Sequence, residues 1–252
     1  MSKTLRRSPL AIAGVCLAVA LVAALLALGS WQLQRRVWKL ELMERIAQRV
    51  QAPLAPAPGR KEWPDITVAS HEYRHISASG VWLNQRSTWV QAVTELGSGY
   101  WLLAPLRQAD GTVLLVNRGF VTAAQRTAID AQATQEPGAP VSVAGLLRIT
   151  ETGMAFLRHN DVQANRWYAR DVQAIATARA LHDVAPYFLD AEITPAEPPA
   201  TATDTLAPVA GLTVLTFYNN HLVYALTWYT LALMVAWAAW RFAREARRPT
   251  QQ

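Results

Sequence analysis

Asn219-Asn220-His221 opens the last apolar run of this 252-residue chain, with Tyr224 and Trp228 three and seven residues beyond the histidine. In a helix these spacings put His221, Tyr224 and Trp228 on one face, and Asn219 and Asn220 supply a helix cap. A neutral imidazole there keeps a lone pair free for a metal such as haem iron, with Tyr224 and Trp228 as apolar, aromatic walls. The same three side chains also suit an aromatic belt at a membrane interface, and residue chemistry alone favours the belt.

A second constellation, His71-Glu72-Tyr73-Arg74-His75, matches the zinc-protease pattern His-Glu-x-x-His. That chemistry needs a helix, which alone puts residues i and i+4 on one side of a metal with the Glu aimed at its water. The flanking residues Thr67 to Ser70 and Ile76 to Val81 are poor helix formers that alternate like a strand, and no further His follows at metzincin spacing. Glu95 is the one third ligand on offer, so the match reads as coincidence and no zinc is expected. A third group, Val116-Asn117-Arg118-Gly119-Phe120, reads as a strand end followed by a tight turn. His159 and His182 stand alone in polar segments, no Ser, His and Asp set has hydrolase spacing, and no glycine loop is shaped to cradle a phosphate.

What must position these residues is a membrane. Leu10 to Leu28 and Leu222 to Trp240 are each nineteen residues without a charge, enough at about 1.5 Å per residue to cross a hydrocarbon core of roughly 30 Å. The first run exceeds a signal-peptide core and is followed by Trp31, Arg35 and Arg36, like an interfacial anchor. Lys3, Arg6 and Arg7 precede it, four Arg against Glu245 follow the second, and the segment between carries seventeen basic and seventeen acidic residues. Basic tails put both termini in the cytoplasm and the middle outside, although Arg35, Arg36 and Lys39 pull the other way. Only nine residues precede the first span, too few for an organelle transit peptide, so a bacterial inner membrane with a periplasmic central domain is expected. A neutral middle lacks the basic surface that nucleic acid needs, which leaves the lipid bilayer as the reason for the high pI. The single cysteine, Cys16, lies inside the first span, so the outer domain has no disulfide and no thiolate metal site.

The expected organisation is a cytoplasmic tail 1–9, a first span 10–29, an amphipathic helical extension 30–50 striped by Trp31, Trp38, Leu42, Ile46 and Val50, a proline-stiffened linker 51–65, an outer domain 66–194, a second linker 195–217, a second span 218–240 and a basic tail 241–252. Within the outer domain, runs rich in Val, Ile, Thr, Tyr and Trp predict antiparallel strands near 73–83, 86–94, 100–108, 112–118 and 141–149, with a last one from Pro186 to Ile193. Gln108 to Gly111 is a tight turn, Thr122 to Pro140 a surface excursion, and Asp171 to Leu181 a helix. The fold class is α+β: two transmembrane helices flanking a non-cytoplasmic domain with an antiparallel sheet and one or two helices.

Leu28-Gly29-Ser30-Trp31-Gln32-Leu33 with Arg35 and Trp38-Lys39, then Val116-Asn117-Arg118-Gly119-Phe120, then Tyr218-Asn219-Asn220-His221-Leu222 with Tyr224-Ala225 and Thr227-Trp228-Tyr229, resemble the signatures of the Surfeit locus protein 1 family. Gly99-Tyr100 with Pro105-Leu106, and Asn160-Asp161 with Trp167-Tyr168 and Asp171, follow it less specifically. Phe120 stands where the family usually has Trp, and Thr122 where it often has Pro. The resemblance covers nearly the whole chain in order and implies a non-enzymatic assembly factor for haem-copper cytochrome c oxidase. Such a factor acts on the catalytic subunit when haem a is inserted, with the haem a synthesis enzyme as a further partner. It also implies that His221 matches the histidine through which some bacterial members are understood to bind haem a. Asn117 and Arg118 would contact a haem propionate or the partner. A haem-free scaffold that stabilises an oxidase subunit is the alternative, and a membrane-anchored protease using His71, Glu72 and His75 a weaker one.

Overall fold

A computed structural model describes residues 9–132, 138–152, 159–192, 207–212 and 219–245. Tyr218, the tails 1–8 and 246–252, Ile193, and all of the expected linker 195–217 except 207–212 lie outside the described residues. In chain order the elements are α1 (Pro9–Val50), β1 (Ala55–Pro56), α2 (Val68–His71), β2 (His75–Trp82), β3 (Thr88–Thr94), β4 (Gly97–Gln108), β5 (Val113–Thr122), α3 (Ala123–Gln132), β6 (Val141–Ile149), α4 (Val172–Ala178), β7 (Val184–Ala191) and α5 (His221–Glu245). They form two compact units, Met1–Arg45 with Thr216–Gln252, and Ile46–Leu215.

The first unit is a helix pair. Both α1 and α5 are long and apolar enough to cross a membrane. At 42 residues, α1 runs for about 63 Å, twice a hydrocarbon core, so its polar half continues beyond the apolar run. The helices meet on small residues: Ala225 and Ala232 are buried with Leu25, and Gly29 lies under the ring of Tyr229, where a Cβ would come within 2.6 Å of the ring. Ser30 Oγ and Tyr229 Oη share a hydrogen bond of 3.2 Å. Close backbone approach at small residues is how helices associate where lipid removes any hydrophobic driving force.

The second unit is built on a seven-stranded sheet in the order β1-β2-β6-β7-β5-β4-β3, with β2 also pairing β4, so that five strands form a closed ring. Closure occurs at Gly80, which pairs with Gln108 and where a Cβ would fall on the Arg107 carbonyl. The sheet differs from the antiparallel expectation: β5 runs parallel to β7, and β1 parallel to β2. The physical reason is the crossover from β5 through β6 and α4 to β7, which no local pattern reveals. Alternation along β5 sends Leu114 and Val116 into one apolar cluster with Ile76, Leu147 and Tyr187, and Val113 and Leu115 into another with Trp167, Val172 and Ile175. Buried on both faces, this strand reads as a continuous apolar run. Asp171 caps α4, accepting from the Ala174 N–H at 3.1 Å, and α4 covers the second cluster.

Three stretches depart from their expected roles. The proline-rich stretch 51–65 is part of the outer unit: β1 joins the sheet, and the Pro58 carbonyl accepts from both the buried Tyr187 hydroxyl (2.8 Å) and the Trp63 indole (3.2 Å). Burial pushes the Tyr187 phenol far up, so it stays a donor. The excursion from Thr122 begins as the helix α3, whose Asp130 accepts from the Trp89 indole at 2.8 Å. The Asn117-Arg118-Gly119 group lies inside β5, because the strand continues to Thr122 with Gly119 at φ +130°.

In the His-Glu-x-x-His stretch only His71 is helical and only His75 lies in a strand, with Tyr73 at φ 64° in the turn between α2 and β2. His71 Nδ1 bonds Ser70 Oγ at 2.7 Å, while both ring nitrogens of His75 are engaged, Nδ1 with the Ala52 carbonyl (3.1 Å) and Nε2 with Glu192 (2.7 Å). Arg49, near the end of α1, donates to the Ala69 and Glu72 carbonyls. The segment thus ties the end of α1 to the sheet.

The hydrogen bond that His75 donates to the Glu192 carboxylate raises its pKa above the usual 6.5. A raised folded pKa contributes stability that is full below the unfolded value and lost as pH rises through the folded one. Thermal stability of the detergent-purified protein is therefore expected to fall by up to a few degrees between about pH 6 and pH 8. His75→Gln should flatten that slope in the same scan.

Candidate functional site

His221 is the first residue of α5, and the carbonyl of Asn220 before it accepts from the Tyr224 N–H at 3.3 Å. Its Nδ1 lies 2.8 Å from Gln32 Oε1 on α1. An amide oxygen can only accept, so Nδ1 carries a proton, and the neutral form of the ring has its lone pair on Nε2. This is the arrangement metal-binding imidazoles commonly show, one nitrogen fixed by a second residue and the other left for the ion. Among the described residues, buried Asn219 Oδ1 and Trp228 Nε1 have no hydrogen-bond partner. An indole N–H in that state suits a ligand acceptor such as a carboxylate, because burying a donor unpaired is costly. Tyr224 is more than half exposed. The donor set fits an iron porphyrin: His221 would hold the metal, and Trp228 would meet a polar group on the ring's rim.

Within the outer unit a second polar centre is present that sequence reasoning missed. Asp190 on β7 is 3% exposed and receives Arg148 Nη1 on one oxygen and Arg170 Nη1 on the other, each at 2.9 Å, with Asn117 Nδ2 at 2.8 Å on the second. Glu151 pairs with Arg170, and Glu72 lies 3.5 Å from Arg148 Nε. Burial would push the Glu151 carboxyl up, but the hydrogen bond and charge of Arg170, then the charge of Arg148, hold it below the usual range. Burial likewise opposes the charge on Arg170, and Asp190 and Glu151 outweigh it. Asn117, Arg148, Arg170 and Asp190 line a cavity of about 230 Å³ together with Trp101 and Gly119.

Asn117 and Arg118 do not act as a pair. The Asn117 amide is committed to Asp190 and to the Gly119 N–H (3.2 Å), whereas the Arg118 guanidinium lies 4.9 Å from the Trp82 ring.

The sequence model of the SURF1 family matches residues 19–233, from inside α1 to inside α5. The chain belongs to the SURF1 family. Human Surfeit locus protein 1 is 32% identical over 222 residues, covering 81% of this chain and 69% of the human one. The mouse protein is 30% identical over 220 residues, covering 81% and 67%. A SURF1-like protein from Monosiga brevicollis is 32% identical over 229 residues, covering 86% and 82%. The span matched to the SURF1 family takes in Gln32, the Asp190 cluster and His221.

Gly119 of this family member has a visible geometric role. Phe120 and Val209 exchange two main-chain hydrogen bonds of 2.9 and 2.8 Å, pinning 207–212 to β5, and a Cβ on Gly119 would fall on the Val209 carbonyl. Gly119→Val is expected to cost about 1–3 kcal/mol in backbone strain. It should also speed hydrogen exchange at the Phe120 and Val209 amides together, leaving that of Val116 slow.

Proposed function

We propose that this SURF1-family protein is a haem-handling assembly factor for haem-copper cytochrome c oxidase. It would receive haem a from the synthesis enzyme and present it to the catalytic subunit. The observation that carries the reading is the Gln32–His221 bond, which fixes one nitrogen of the imidazole and leaves the other to face a ligand. A transfer protein must release its cargo, and a single imidazole without a strong second ligand suits that need. No step of bond making is assigned to the chain; it binds, orients and hands over.

The basic segments at both ends support an orientation with both termini cytoplasmic in a bacterial inner membrane and the outer unit periplasmic. Asn117 and Arg118 are the further candidates for contact with the partner or a haem propionate, with the Asn117 amide also engaged by Asp190. The scaffold alternative differs in one consequence. In cells whose own copy is deleted, His221→Ala should fail to restore haem a incorporation into the oxidase even when it accumulates to native levels. A scaffold would restore it in full.

A further inference from the structure

Below the level of Gln32 the helix pair opens on one side into an apolar groove of about 460 Å³. One wall includes Val15, Val19, Ala23 and Leu26 of α1, and the other Ala236, Ala239 and Trp240 of α5. The groove holds no titratable group, and alanines rather than leucines line much of it, so a slot remains where side chains would otherwise interdigitate. Counted at 1.5 Å per residue, its α1 wall begins at Leu26, about 9 Å from Gln32, and its α5 wall at Ala236, about 22 Å from His221. It therefore belongs to the same two helices that fix the imidazole, one level deeper in the hydrocarbon.

We propose that this groove holds the isoprenoid tail of the haem whose iron His221 binds, which makes the helix pair selective for farnesylated haems. The inference rests on the haem-handling reading and adds to it the part of the ligand that sets specificity. A macrocycle at His221 with its tail extended down the helices reaches the α1 wall, and a branched, flexible farnesyl chain matches a slot lined almost wholly by apolar atoms. The gain over lipid is modest, because the bilayer also solvates an isoprenoid. What the groove adds is close packing on both sides and a fixed direction for the tail. The direction in turn limits how the macrocycle lies on His221.

The test titrates the full-length protein in nanodiscs with haem a, haem o and haem b, reading each by absorption. Haem o carries the tail without the formyl group, and haem b has neither, so the formyl contribution separates from that of the tail. The native protein is expected to hold haem a and haem o about tenfold more tightly than haem b. Ala239→Leu, and separately Ala23→Leu on the facing wall, should shrink that ratio to about twofold while leaving haem b affinity unchanged. Unchanged haem b binding shows that the His221 end is intact in the variants. Equal affinity for all three haems in the native protein would overturn the groove assignment and leave the haem-handling reading standing. So would a ratio that survives both substitutions, which would make the groove a seat for a lipid chain or a neighbouring helix. Binding of none of the three would remove the haem reading itself, and the groove assignment with it.

Discussion

Asp190→Ala is expected to lower the unfolding temperature of the purified protein by about 6–20 °C, the largest stability loss of any single substitution considered. Two guanidinium groups share this one carboxylate, which is almost fully buried, and Asn117 closes its remaining side. Removing one member of a buried pair costs about 3–5 kcal/mol because the partner's charge stays buried and uncompensated. A domain stable by about 5–15 kcal/mol loses much of its margin to such a change. Asp190→Asn keeps the shape and leaves Glu72 and Glu151 opposite two arginines, so its loss should be smaller. Intrinsic fluorescence during thermal unfolding separates the two variants. A shift below about 1 °C for the alanine variant would mean that the cluster does not hold the sheet together.

His221→Ala is expected to abolish haem retention, while Gln32→Leu weakens it by about 10–100-fold without abolishing it. The first change removes the only imidazole on α5. The second removes the acceptor that fixes the ring through Nδ1, so the ring loses its fixed orientation but still presents a nitrogen. Graded loss across the two variants, read as haem per protein after gel filtration, is what a positioned ligand predicts. Equal loss would mean that Gln32 holds the helix pair together instead.

Much of the outer fold was legible from short-range pattern. Runs rich in Val, Ile, Thr, Tyr and Trp placed β2 to β6 within a few residues, and Asp171 before an alanine-rich run marked α4. Strand partners were not legible, since the β5–β7 pairing joins segments separated by β6 and α4 and leaves no local trace. Proline content made 51–65 look like a tether, when the Pro58 carbonyl is what the Tyr187 hydroxyl needs. The Asp190 cluster was hidden because its members come from separate segments and an arginine in a strand ordinarily faces water. One signal was available: Asp190 inside Tyr187-Phe188-Leu189-Asp190-Ala191, and Arg148 after Leu146-Leu147, are charges in apolar strands, and a buried charge implies a buried partner. His221 was legible as a candidate from its spacing to Tyr224 and Trp228. The Gln32 partner was not, because 189 residues separate the two.

The central claim is tested most directly by the absorption spectrum of the detergent-purified protein co-expressed with the haem a synthesis enzymes, native beside His221→Ala. A haem a band in the native protein that disappears in the variant is the predicted result. A band that persists in the variant, or no band in the native protein, would contradict it.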